Sequence, residues 1–146
     1  METKNNKAFT LIEILVVIAI IGILIGLSLF GLTGARESSR DAKRKADLEL
    51  IRGAIETYRS DCSTYPLALT SPLVGTTVPP SACSTTNVYI SALPVDPITD
   101  YSYRYFSDGI FYEICAYLET SKASTVTCGG ASTCGPKPCN YKVTNP

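Results

Sequence analysis

The chain has 146 residues, with 13 Lys and Arg against 13 Asp and Glu, and no His. That bounds it to one modest domain, removes any global field drawing it to nucleic acid or anionic lipid, and takes away the usual general base and the commonest metal ligand together. Its six Cys all lie beyond residue 60 in a Ser/Thr/Gly-rich context, a pattern that indicates disulfides and an exported, oxidising environment.

The first element is an apolar run. Ile14 to Leu32 is 19 residues without a charge, and Ser28 is its one clearly polar side chain. At about 1.5 Å per residue it nearly spans a hydrocarbon core of roughly 30 Å. Leu11 and Ile12 extend it outward, and Lys4 and Lys7 ahead of it leave the N-terminus in the cytoplasm. Three readings compete for this segment. A secretory signal peptide has a shorter apolar core, of about 7 to 15 residues, and Thr33-Gly34-Ala35 would serve as its cut. A plain single-span anchor explains length and flanks but leaves Glu13 unexplained. The third gives Glu13 a function, since an intramembrane carboxylate usually has a partner.

Lys7-Ala8-Phe9-Thr10-Leu11-Ile12-Glu13, followed by the run from Ile14 to Leu24, resembles the N-terminal signature of bacterial type IV pilins and of the pseudopilins of type II secretion. The resemblance implies that a prepilin peptidase removes a basic leader, residues 1–8, by cutting between Ala8 and Phe9, and that the new Phe9 amine is N-methylated. Ala8 departs from the family pattern, which has Gly there. Glu13 becomes the fifth residue of the mature chain, where the resemblance implies that it meets an N-terminal amine inside a helical homo-oligomeric filament. A buried charge deprived of its partner costs about 3–5 kcal/mol, so the pair would check register. The implied partners are inner-membrane lipid before assembly and then the pilus or secretion machinery. Gly22 and Gly26 each weaken the helix by about 1 kcal/mol relative to Ala, and their spacing suits close packing in a membrane. They are the candidate flexibility points. Many family members also carry a Pro near residue 30, where this chain has Phe30.

The helix is expected to continue through residue 60, with residues 11–32 as its transmembrane and filament-core part. Ala42, Ala46, Leu48, Ile51, Ile55 and Tyr58 fall at spacings of three and four and form one apolar stripe. Glu37 with Arg40, Asp41 with Lys45, Glu49 with Arg52 and Glu56 with Arg59 suit a solvated, ion-paired opposite face, at about 0.2–0.5 kcal/mol each. Arg40 and Lys43-Arg44-Lys45 offer charge to DNA phosphates or lipid headgroups, but interleaved acids weaken that use. Helix over 9–60 would be about 78 Å long.

Between Ser60 and Thr99, 19 of 40 residues are Ser, Thr or Pro, so 61–100 reads as an irregular loop with short turns. Tyr101 to Phe106 and Ile110 to Leu118 flank Ser107-Asp108-Gly109 and read as an antiparallel hairpin. Ile110, Tyr112, Ile114, Ala116 and Leu118 share the face that would cover the stripe from Leu48 to Tyr58, while Phe111, Glu113, Cys115, Tyr117 and Glu119 share the other. A third strand is expected near Cys139 to Thr144, within a disulfide-rich β region over 101–146. The resulting fold class is α+β: a long N-terminal helix packed against a small antiparallel sheet, the architecture that the resemblance also implies.

Six cysteines permit 15 pairings. Cys62 with Cys83 is the first choice because both flank one loop, and Cys115 is expected to bond Cys128, Cys134 or Cys139. Zinc lacks both CxxC spacing and His. Calcium, which secretion pseudopilins commonly hold in a later acidic loop, finds only Glu119 there, too few oxygen ligands for a site. No metal or cofactor is assigned. No base and nucleophile pair from the sequence, so enzyme chemistry is not expected either. The nine Tyr suit stacking of single-stranded DNA, but strand positions in a small core account for most of them. The resulting expectation is a structural subunit polymerised into a type IV pilus-like filament. The alternatives are the major pseudopilin of a type II secretion system and, outside the family, a tethered or secreted disulfide-rich binding module that does not polymerise.

Overall fold

A computed structural model describes residues 9–78 and 83–145. One helix, α1 (Leu11–Cys62), is followed by five short strands: β1 (Leu73–Val74), β2 (Val88–Ile90), β3 (Arg104–Ser107), β4 (Tyr112–Ala116) and β5 (Tyr141–Thr144). The chain divides into two units, one ending at Arg36 and one beginning at Glu37.

Both ends of α1 have a chemical cause. Thr10 stands at the N-cap: its Oγ1 accepts the Glu13 N–H at 3.4 Å, and its own N–H donates back to Glu13 Oε2 at 2.8 Å. This reciprocal pair is a capping box. Phe9 therefore precedes the helix rather than opening it, two residues short of the expected start. At the other end Ser63 takes a left-handed φ of 65° while its N–H donates to the Arg59 carbonyl at 2.8 Å, satisfying a carbonyl of the last turn. Helix continues to Cys62, past the expected Ser60.

In the second unit β3, β4 and β5 form one antiparallel sheet in that order. Tyr105 pairs with Ile114, and Ile114 with Val143. The face carrying Tyr112, Ile114 and Ala116 packs on Leu48, Ile51 and Ile55, with Tyr65 and Val143 completing the core. Ile110 does not join that face. The Asp108 carboxylate accepts the N–H groups of Ile110 and Phe111 at 2.9 and 2.8 Å, and Gly109 has φ 92°, so Ile110 belongs to the turn and is 77% exposed. The alternating pattern ran through a turn that the side chain of Asp108 had already claimed. Ala42 and Ala46 also depart from the expected stripe, both being exposed; burial on α1 is carried at this end by Asp41 and Arg44 instead.

The 61–100 segment is more ordered than its composition suggests. β1 and β2 pair antiparallel and, with Tyr58, Cys62 and Leu73, close a second small core over the end of α1. Strands of two and three residues are too short to display an alternating pattern in sequence. Between β4 and β5 the chain is fixed by Asn140, whose side chain accepts the Leu118 N–H at 2.6 Å and donates to the Leu118 carbonyl at 2.8 Å.

Candidate functional site

The N-terminal unit presents the first part of the site. From Leu11 to Leu27 every residue on α1 is exposed, and Glu13 is the one charge among them. Among the described residues, this is the one helix long and apolar enough to cross a membrane. Phe9 is 81% exposed. Ala8, on the other side of the expected cut, lies outside the described residues. The Glu13 carboxylate accepts the Thr10 hydroxyl as well as its N–H, both at 2.8 Å. Thr10 was not singled out in the sequence, although Thr-x-x-Glu ahead of an apolar run is a recognisable capping signal. Helix is continuous over Gly22 and Gly26, and among the described residues a Cβ at either would meet nothing within 4 Å beyond its neighbours and the adjoining helix backbone.

The second part is a charged cluster in the second unit. Arg44, fully buried, donates through Nε and Nη2 to Asp96 at 2.7 and 2.9 Å and through Nη1 to Asp41 and Glu119 at 2.9 and 2.7 Å. Arg40 donates to Glu119 through Nε at 2.7 Å. Asp41 also accepts the N–H groups of Glu119 and Thr120 and the Thr120 hydroxyl. A forked guanidinium suits such bidentate pairing. The cluster ties α1 to the 91–100 segment and to the chain leaving β4.

These contacts replace several expected ones. Asp41 and Arg44 are internal rather than part of a solvated face, and Arg40 and Arg44 are engaged with carboxylates rather than presented to phosphate. Glu49 with Arg52 does form, at 3.6 Å. Glu56 instead accepts the hydroxyl of Tyr112 at 2.9 Å and that of Tyr65 at 3.2 Å, while Arg59 donates to Tyr65 Oη at 2.6 Å.

Electrostatics follow from the geometry. Burial pushes the Asp41 carboxyl up, but the hydrogen bonds from Thr120, Glu119 and Arg44 outweigh it and hold Asp41 below its ordinary value. The Arg40 guanidinium, opposed by burial and assisted by Arg44, does the same for Glu119. Burial opposes the charge on Arg44, yet Asp96, Glu119 and Asp41 raise its pKa further. Burial also pushes the Tyr105 phenol up to about 12.

All six cysteines are bonded: Cys62 with Cys83, Cys115 with Cys128, and Cys134 with Cys139. The first is the pair preferred from sequence, and the second selects one of the three partners left open for Cys115. Cys115, Cys128, Cys134 and Cys139 pack as one buried cluster. Beside it Gly129, at φ 57°, lies so close to the Phe106 ring that a Cβ would collide. Among the described residues no group of three or more His, Cys, Asp or Glu could hold a metal ion.

The prokaryotic N-terminal methylation motif matches residues 3–29. Type II secretion system core protein G of Escherichia coli K12 is 36% identical over 99 residues, covering 65% of this chain and 68% of that protein. The protein of the same name from Aeromonas hydrophila is 32% identical over 118 residues, 78% of this chain and 82% of the relative. The chain belongs to the type IV pilin and type II secretion pseudopilin family. That from Vibrio cholerae is 31% identical over 111 residues, covering 74% and 75%. No solved structure matches. Membership in the family gives the exposed apolar half of α1 and the α+β unit that follows it in sequence a common context, and the curated relatives favour a pseudopilin over a pilus subunit as the nearer comparison.

Proposed function

We propose that this chain is the major pseudopilin of a type II secretion system: a non-enzymatic precursor held in the inner membrane by the apolar half of α1, then polymerised into a periplasmic filament. This replaces the pilus subunit as the preferred reading, because relatives named core protein G match at 30–36% identity. The observation that carries the proposal is the uninterrupted exposure of α1 from Leu11 to Leu27 with Glu13 at its head. An apolar surface of that length is stable in lipid or against copies of itself, not in water.

In this reading the prepilin peptidase cuts before Phe9, methylation follows on the Phe9 amine, and Glu13 exchanges its Thr10 hydrogen bonds for contact with an N-terminal amine in the filament. Gly22 and Gly26 are the points where the helix yields when subunits pack. A non-polymerising binding module leaves the apolar half and its charge without a use beyond anchoring. The test is mass spectrometry of filaments recovered from the periplasmic fraction of cells expressing the full chain, beside the secretion yield of a strain lacking it. Fibres whose chains begin with N-methylated Phe9, together with periplasmic retention of secreted enzymes in the deletion strain, support the proposal. Fibre chains beginning at Met1, or secretion indifferent to the deletion, refute it. Glu13→Ala is expected to insert into the membrane normally but to fail to enter fibres alongside wild-type subunits.

A further inference from the structure

The three disulfides join the six cysteines as consecutive pairs along the chain, with separations of 21, 13 and 5 residues. Of the 15 conceivable pairings this is the one in which no loop encloses or crosses another. Each bond closes within its own segment. Cys62 ends α1 and meets the returning 61–90 segment, Cys115 lies in β4 ahead of Cys128, and Cys134 and Cys139 bracket a turn. In that turn Cys134 N–H donates to the Lys137 carbonyl and Cys139 N–H to the Ser132 carbonyl, at 2.9 and 2.8 Å.

We infer that this chain receives its disulfides from a thiol oxidase acting in order of emergence during export, and that its native pairing needs no disulfide isomerase. With the N-terminus retained in the cytoplasm, Cys62 and Cys83 cross before Cys115 and Cys128, and Cys134 and Cys139 cross last. At each step a chain thiolate attacks the oxidase disulfide to form a mixed disulfide, and the second chain thiolate then displaces the oxidase. Two chain thiols become one disulfide, and the oxidase leaves with two thiols and the electron pair. Order matters most among the last four cysteines. They share one buried cluster, and Cys128 is only slightly farther from Cys134 in sequence than Cys139 is. Loop-closure entropy, which changes slowly with length, does not separate those two bonds; sequential oxidation does, because Cys115 and Cys128 are already joined when Cys134 appears.

The inference rests on the proposed export of the C-terminal unit, and the test keeps the two apart. The full chain is expressed in otherwise identical hosts that carry both periplasmic thiol enzymes, lack the isomerase, or lack the oxidase, and its disulfides are mapped by non-reducing peptide mass spectrometry after alkylation. The expected result is an unchanged fraction of natively paired chain without the isomerase and a several-fold rise in free thiols without the oxidase. A several-fold loss of native pairing with Cys128–Cys134 or other non-native bonds in the isomerase-deficient host overturns the inference. Free thiols in every host overturn export itself. Cys128→Ala in the isomerase-deficient host gives a second, fold-independent readout. Emergence order then yields Cys115–Cys134 with Cys139 free, whereas Cys134–Cys139 with Cys115 free overturns it.

Discussion

From Leu11 to Leu27 helix α1 exposes all its large apolar side chains, whereas from Asp41 to Cys62 the same helix buries Leu48, Ile51, Ile55 and Tyr58 and takes a whole arginine out of water. Nothing in the backbone distinguishes the two stretches. What differs is burial: the side chains of the first stretch are exposed, while the second is covered by β4, β5 and the loops that reach Arg44. Helicity alone is marginal without tertiary support or lipid, so the first stretch depends on an environment supplied from outside and the second carries its own. Mutations should therefore have opposite consequences in the two, large for folding in one and large for assembly in the other.

The strongest way to test that contrast is Arg44→Ala. Three carboxylates would lose their common cation, and breaking a buried pair costs about 3–5 kcal/mol. A corresponding fall in the urea midpoint of the full chain in detergent is expected, and Arg44→Met should fare no better because the carboxylates remain. An unchanged midpoint for either variant would mean that the second half of α1 is held by apolar packing alone. Next, replacing both Cys115 and Cys128 by Ala is expected to remove about 2–4 kcal/mol, read by the same titration, with membrane insertion unaffected.

Acid should act on the second stretch selectively. Asp41 and Glu119 are held below their ordinary values, so their contribution is fully present above the unfolded carboxylate range, near 4, and is lost as pH falls through the lower folded values. Stability is expected to be flat from about pH 8 to 6 and to decline below about pH 4; an acid-side decline that survives Asp41→Asn together with Glu119→Gln would place its cause elsewhere. The smallest effect is expected at Ile18→Ala. Exposed substitutions usually change stability by about 0.5 kcal/mol or less, so the midpoint should stay in place while fibre yield falls. A shift of several kcal/mol would show that the first half is packed within the chain after all.

How far the sequence could be read depended on the range of the interactions. The apolar run, Glu13, the stripe from Leu48 to Tyr58 and the hairpin around Asp108-Gly109 are encoded by residues a few positions apart, and they appear close to where they were expected. The Arg44 cluster was not legible, because Asp96 and Glu119 are 52 and 75 residues away from the arginine. Locally Asp41 and Arg44 look like any surface pair three residues apart. Thr10 is legible too, because Thr-x-x-Glu ahead of an apolar run is a capping signal built from residues three apart. β1 and β2 were hidden for a different reason: strands of two and three residues are too short to show a pattern, and Leu73 packs with Tyr58 and Cys62, residues more than ten positions away.

By itself the sequence determined the class of molecule. A charge-free span headed by Phe9 and Glu13, an amphipathic continuation and an even set of cysteines beyond residue 60 constrain the physics of the chain before any contact is known, because hydropathy, length and local spacing act without a tertiary partner. Only the tertiary structure decided which charges are internal and which cysteine Cys115 meets. Both depend on segments brought together across tens of residues, where desolvation turns an ordinary surface arginine into the centre of three carboxylates.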